Sequence, residues 1–110
     1  MKQGEIWFVQ FSGQGHEYVN KRPALIIQSD TQLKITSVIS TMPFTSKLSN
    51  RHNDDVFVSR TSKNGLFCDS LIKVHHIQSF DKTRFIKKIG QLESVVFFEV
   101  QSYLQKHFGI

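Results

Sequence analysis

Apolar and polar positions change over along this chain in short runs, not in long stripes. Glu5-Ile6-Trp7-Phe8-Val9-Gln10-Phe11 is aromatic and β-branched with partial alternation, which predicts a first strand. Ser12 to Arg22 is polar, carries Gly13 and Gly15 and has no period, so it predicts a long loop. Loops of that length inside a compact domain are often functional. Pro23-Ala24-Leu25-Ile26-Ile27-Gln28 is a nearly unbroken apolar run opened by a proline. It predicts a central strand buried on both faces. Ser29 to Gln32 reads as a turn, and Ile35 to Thr41 as a third strand that Pro43-Phe44-Thr45-Ser46-Lys47 leaves. A polar loop from Ser49 to Asp54 and a short fourth strand, Val56-Phe57-Val58, follow.

Asn64-Gly65 is a turn signal. Ser70 to Ile77 predicts a fifth strand, with Leu71, Lys73, His75 and Ile77 on one face and Ile72, Val74 and His76 on the other. Asp81 to Ile89 carries Lys82, Arg84, Lys87 and Lys88 and is compatible with a short helix or an extended piece. Glu93 to Phe108 predicts a helix, because Val96, Val100, Tyr103, Leu104 and His107 keep helical spacing and Phe97 widens the stripe. Glu93 at its start, Lys106 and His107 at its end, and Gly109 beyond are matching end signals.

Five short strands and a terminal helix predict a mainly β (α+β) barrel or half-barrel with a docked helix. No strand–helix–strand rhythm supports a parallel sheet. With 110 residues, the chain fits one domain, residues 1–110. Its 39% hydrophobic content and ten Phe supply a core, and a domain of this size buries roughly two thirds of its unfolded surface. Cys68 is the single cysteine, which allows no internal disulfide and fits a reducing compartment. The start of the chain lacks the charged and apolar regions of a signal peptide, and its apolar runs, such as Val95 to Phe98, are far too short to span a membrane. A soluble, cytoplasmic protein is the expectation.

Fourteen Lys and Arg against nine Asp and Glu give a formal charge of +5. That balance favours an anionic partner but is also common in basic domains with no such role. The histidines, His16, His52, His75, His76 and His107, do not form a helical zinc motif, and a lone cysteine cannot build a cysteine-rich one. P-loop, GxGxxG and nucleophile-elbow patterns are missing as well, so no metal or cofactor is expected. What remains is a set of His, Arg, Lys, Thr and Ser. Such residues suit cleavage of RNA by its own 2′-hydroxyl, which needs a base, an acid and cations on the crowded phosphate.

Each candidate also has a plain reading. His16 titrates near neutrality in a glycine-flanked loop, as a solvated loop histidine also would. Arg22 is pushed towards extended geometry by Pro23 and can fork a phosphate, or pair with Glu17 on the surface. Thr45 and Ser46 can bond phosphate or simply make a turn. Lys73 beside His75 suits a reactive pair or a solvated strand face. Asp69 is expected to order the turn before the fifth strand, and Cys68 to be a small buried residue.

The order and spacing of several segments resemble the MazF/PemK/Kid toxins of bacterial toxin–antitoxin systems. The matching pieces are Gly4-Glu5-Ile6-Trp7, Gly15-His16-Glu17, Arg22-Pro23-Ala24-Leu25-Ile26-Ile27, Pro43-Phe44-Thr45-Ser46-Lys47, Gly65-Leu66, Asp69-Ser70 and Phe80-Asp81 with the final helix. They run nearly end to end. The resemblance implies an SH3-like barrel of about five to seven strands with a C-terminal helix. It implies a homodimer that cuts single-stranded mRNA and is blocked by an antitoxin protein. It makes Arg22 and Thr45 the catalytic pair, assisted by His16. The family's Arg and Asp on the fifth strand correspond to Lys73 and His75, so His16 and His75 are expected to share the acid and base roles, with Lys73 helping Arg22. Glu17, Ser46, Tyr18, Phe44 and Arg51 are expected at the RNA.

The implied enzyme is a metal-independent, sequence-selective endoribonuclease leaving 2′,3′-cyclic phosphate and 5′-hydroxyl ends. The alternatives are a non-catalytic SH3-like module that binds RNA or peptide, and a toxin of the same fold that targets gyrase. The recognised RNA word and the identity of the antitoxin are not legible in the residues.

Overall fold

One long strand, Val38–Thr45, organises the fold. The structure is a computed structural model that describes residues 1–11 and 21–110. The strands are β1 (Glu5–Gln10), β2 (Lys21–Ile26), β3 (Val38–Thr45), β4 (Val56–Val58), β5 (Ser70–Ile72), β6 (Gln78–Asp81) and β7 (Phe85–Gln91). Two helices join them, α1 (Asp30–Leu33) and α2 (Ser94–Phe108). All strand pairs are antiparallel, in the order β4-β5-β3-β2-β1-β7, with β6 also on β3.

β3 changes partners along its length. Val38 to Thr41 pair with β6, and Phe44 and Thr45 pair with β5. Pro43 sits at the changeover. Its carbonyl accepts from the Lys73 N–H at 2.9 Å. An extended residue's N and C=O face the same edge, so the N–H that proline lacks would have pointed where neither β5 nor β6 continues the ladder. The third strand therefore runs through Pro43 to Thr45 and does not end before it.

The apolar run of β2 is buried on both faces, as its sequence predicts. Leu25 joins the main core with Ile6, Met42, Phe44, Val56, Val58, Ile72, Val100 and Tyr103. Ala24 and Ile26 face the other way, onto Val9 and Phe80 and onto Leu33 and Ile39. α2 lies over the main core through Val100 and Tyr103, flanked by Val96, Phe97 and Leu104. It ends on Gly109 in the left-handed conformation (φ 68°), where the sequence places its stop.

Two expectations change and one open reading is resolved. The turn after β2 is a one-turn helix, α1, whose Ser29 Oγ accepts from Gln32 N–H at 3.3 Å. The fifth strand is only Ser70–Ile72. The chain then turns, with His76 N–H donating to Lys73 C=O at 3.0 Å, and starts a separate β6. Lys73 and His75 thus share a turn, not a strand face. The basic segment after Asp81 is a 3₁₀ turn, Lys82–Arg84, followed by β7.

The Asn64-Gly65 turn packs against β7. Gly65 has φ 69°, and a Cβ there would lie 1.9 Å from Ile89 O, so no larger residue fits. Asn64 is fully buried. Its Oδ1 accepts from Thr61 N–H and Leu66 N–H, and its Nδ2 donates to Ser59 C=O and to Glu93 Oε1. The turn therefore ties the start of α2 to residues 66–70.

Candidate functional site

Leu66, Phe67, Cys68 and Ser70, the end of β3 and the start of β2 enclose an open cleft of about 280 Å³. Arg22, Thr45, Ser46 and Lys47 supply its polar lining, and Pro23, Phe44, Leu66 and Phe67 its apolar walls. Arg22 is set opposite Val9 by the β1–β2 ladder, and its guanidinium lies 5.4 Å from the Phe11 ring centre. Thr45 is held opposite Leu71 by the β3–β5 ladder. Its Oγ1 accepts from Lys47 N–H at 3.2 Å, which leaves the hydroxyl hydrogen to donate. Two cations and three hydroxyl-bearing residues, Thr45, Ser46 and Ser70, line this cleft, and no carboxylate among the described residues lines it. Such a lining attracts a phosphodiester.

Phe67 forms an exposed edge of the cleft, 75% exposed and 5.7 Å from the Phe8 ring. An exposed aromatic beside a phosphate-ready cleft can stack on a nucleobase. Cys68, expected to be buried, is exposed on the same wall. Asp69 does order the turn before β5, where its Oδ1 accepts from Arg60 N–H at 2.9 Å.

A second cleft lies beyond the other end of β5. Asn50, Arg51, His52, Asp55, Lys73, His75 and His76 line it, and none of these lines the first. Lys73 does not reach towards Arg22. It pairs with Asp55, whose side chain is fully buried, and donates to Asn50 C=O at 3.1 Å. Burial pushes the Asp55 carboxyl up, but hydrogen bonds from Lys73 and the His52 N–H hold it below its ordinary value.

His75 Nε2 lies 3.1 Å from His52 Nδ1 and 3.3 Å from Asp54 Oδ2. His75 Nδ1 meets Tyr103 Oη at 3.1 Å, and that hydroxyl also meets His107 Nδ1 at 3.0 Å. Burial is the main reason the Tyr103 hydroxyl titrates above its usual value.

The structure thus gathers Arg22, Thr45, Ser46 and Phe44 in one cleft and Lys73, His75 and Arg51 in another. Phe44 is 2% exposed and belongs to the core, so it offers RNA little of its ring. Arg51 reaches back to Asp55 C=O at 3.4 Å. His16, Glu17 and Tyr18 lie outside the described residues. Sequence reasoning missed Phe67 and the His52–Asp54–His75 grouping. The former follows directly on the Asn64-Gly65 turn, a signal that could have marked it as exposed. The latter joins segments far apart in the chain.

A bent antiparallel sheet covered by a C-terminal helix, with a cationic cleft at the junction of β2 and β3, defines a small β domain of the MazF-like fold. The chain belongs to the family described as PemK-like, MazF-like toxin of type II toxin-antitoxin system, which it matches over residues 2–108. It is similar to the endoribonuclease MazF of Staphylococcus saprophyticus, with 27% identity over all of this chain and 92% of the relative. Among solved structures, MazF of Deinococcus radiodurans matches with TM-score 0.80 and 21% identity over all of this chain and 97% of the other. A mycobacterial endoribonuclease in complex with its cognate antitoxin matches with TM-score 0.76 and 14% identity, over all of this chain and 96% of the other. No helix among the described residues is long and apolar enough to cross a membrane.

Proposed function

We propose that this toxin-family chain is an endoribonuclease that cuts single-stranded RNA in the Arg22–Thr45 cleft. The observation that carries this reading is the convergence of Arg22, Lys47, Thr45 and Ser46 on one open cleft without an opposing carboxylate among the described residues. The family and the printed activity of the staphylococcal relative support it.

The RNA 2′-oxygen attacks the neighbouring phosphorus while the bond to the 5′-oxygen breaks, leaving a 2′,3′-cyclic phosphate and a 5′-hydroxyl. Arg22 binds two non-bridging oxygens as charge grows on them, and the Thr45 hydroxyl donates to one. His16 takes the 2′-hydroxyl proton. It belongs to the connection that enters β2 just before Arg22, and a histidine titrates in the range the step requires. The open cleft gives water access to protonate the leaving 5′-oxygen. Phe67 stacks a flanking base. The acid–base role expected of His75 is reassigned, since His75 lines the other cleft.

Control by an antitoxin protein is part of this reading. Solved relatives include MazE–MazF complexes from Deinococcus radiodurans. In this chain α2 leaves Val95, Phe98 and Phe108 more than half exposed, an apolar surface suited to a protein partner. A second copy of the chain and a cytoplasmic setting complete the proposal.

The test is incubation of the protein with single-stranded RNA in EDTA, followed by analysis of the new ends. Cyclic phosphate and 5′-hydroxyl ends, blocked by a 2′-deoxy substitution at the cut, are expected. Intact RNA that binds in a salt-sensitive way would replace the enzyme with a non-catalytic module.

A further inference from the structure

Beside the second cleft three side chains able to ligate a metal come together. His52, Asp54 and His75 each place one potential ligand atom within 4.8 Å of the others, with His75 Nε2 next to both His52 Nδ1 and Asp54 Oδ2. His52 Nδ1 accepts a long contact from the Asp54 N–H at 3.4 Å, which places its lone pair on the unprotonated nitrogen and which an ion would displace. His75 Nδ1 can donate to Tyr103 Oη, which in turn donates to His107 Nδ1. In that arrangement His75 Nε2 also presents a lone pair. With His75 in that tautomer three acceptor atoms point at one another and a cation between them would satisfy all three, the place that a proton on His75 Nε2 takes otherwise.

We propose that His52, His75 and Asp54 bind one divalent transition-metal ion of the zinc type. A tetrahedral ion with bonds of about 2.0–2.1 Å sets its ligand atoms about 3.3 Å apart. The His75–His52 and His75–Asp54 separations, 3.1 and 3.3 Å, already have that size. Two imidazoles and one carboxylate are the donor set such ions favour, and water would complete the four ligands.

The supporting groups are also in place. Tyr103 orients the His75 ring from its far nitrogen, as partners of metal-bound histidines commonly do. Lys106 holds Asp54 Oδ1 at 3.3 Å, which leaves Oδ2 for the ion. The His52 N–H donates to buried Asp55 at 2.8 Å, fixing the loop that carries two of the ligands. A bound ion would tie that loop to the 73–76 turn and, through Tyr103, to α2. Its place outside the Arg22 cleft makes it a stabilising or regulatory site, independent of the ribonuclease reading.

The experiment uses the full chain freed of any polyhistidine tag and stripped with EDTA. Addition of Co²⁺ alone should give the visible absorption bands of a tetrahedral site, saturating at one equivalent and bleached by Zn²⁺. Zn²⁺ should raise the Tm by about 5 °C or more at saturation. His52→Ala and His75→Ala should each remove the bands and the rise. Both side chains lie on exposed residues, so circular dichroism should show folded variants. Tyr103→Phe should weaken binding about tenfold or more. His76→Ala, a neighbouring exposed histidine in the same cleft, should keep full binding. The proposal is lost if wild-type protein gives no saturable Co²⁺ spectrum, or if His76→Ala loses as much as His75→Ala. RNA cleavage is read separately in EDTA, so failure of one reading leaves the other standing.

Discussion

The two ends of β5 meet two clefts that treat charge in opposite ways. At Ser70 the strand borders a lining of Arg22 and Lys47 with no carboxylate among the described residues. Beyond Ile72 it leads into Lys73 and His75, which face Asp55 and Asp54. A cation with no counter-ion among the described residues in an open cleft is ready for an anionic ligand. A cation paired to a buried carboxylate is committed to the fold. The difference teaches that residue type alone does not assign a catalytic lysine or histidine; the partner does.

The comparison breaks or holds most sharply at Arg22. Arg22→Ala should lower the single-turnover cleavage rate by about a hundredfold or more, as loss of a transition-state donor does. Arg22 is exposed, so urea denaturation should place the variant within about 0.5 kcal/mol of wild type. Lys73→Met should do the reverse. It strands the fully buried Asp55 side chain and should cost about 3 kcal/mol in the same denaturation experiment. Cleavage per folded molecule should stay within about threefold of wild type. If Lys73→Met instead lost cleavage at unchanged stability, the two clefts would be one site.

Phe67 sharpens the first cleft. Phe67→Ala removes an exposed ring in contact mainly with Phe8, so stability should fall by less than about 1 kcal/mol. Loss of one stacked base should raise KM about tenfold with a smaller change in kcat. A KM at the wild-type value would remove Phe67 from the RNA path.

Much of this could be read from the chain itself. The run Pro23 to Gln28 announces a doubly buried strand because its apolar residues do not alternate, and the α2 stripe follows from strict helical spacing. Arg22 and Thr45 are adjacent in space because β2 and β3 pair directly, and the resemblance named both. The failures share a cause. A period-2 pattern continues across Lys73 to His76, but Pro43 donates no N–H and β3 changes partner there, so the pattern outlasts the strand. Asp54 reads as loop polarity because nothing local shows that His75 folds back onto it, and for the same reason Asp55 carries no signal of its pairing with Lys73. Cys68 reads as core by type, yet the Gly65 turn carries it to the surface.

The smallest effect tests the tie between α2 and the first cleft. Burial alone pushes the Glu93 carboxyl up, but hydrogen bonds from Thr61 (2.6 Å) and Asn64 (3.2 Å) outweigh it and hold the group below its ordinary value of 4.5. A carboxylate lowered by folding contributes stability above its unfolded value, and that contribution is lost as pH falls through the folded one. Glu93→Gln should therefore be less stable than wild type at pH 7, by less than about 1 kcal/mol for a partly exposed group. The gap should close as pH falls below about 4.5 and through the lowered folded-state value. Amide exchange at Phe67 and Cys68, which follow the Asn64 turn, should quicken in the variant, while exchange at His75 and His76 should not. Equal quickening at all four would mean that α2 braces both clefts alike, and the division between them would no longer be mechanical.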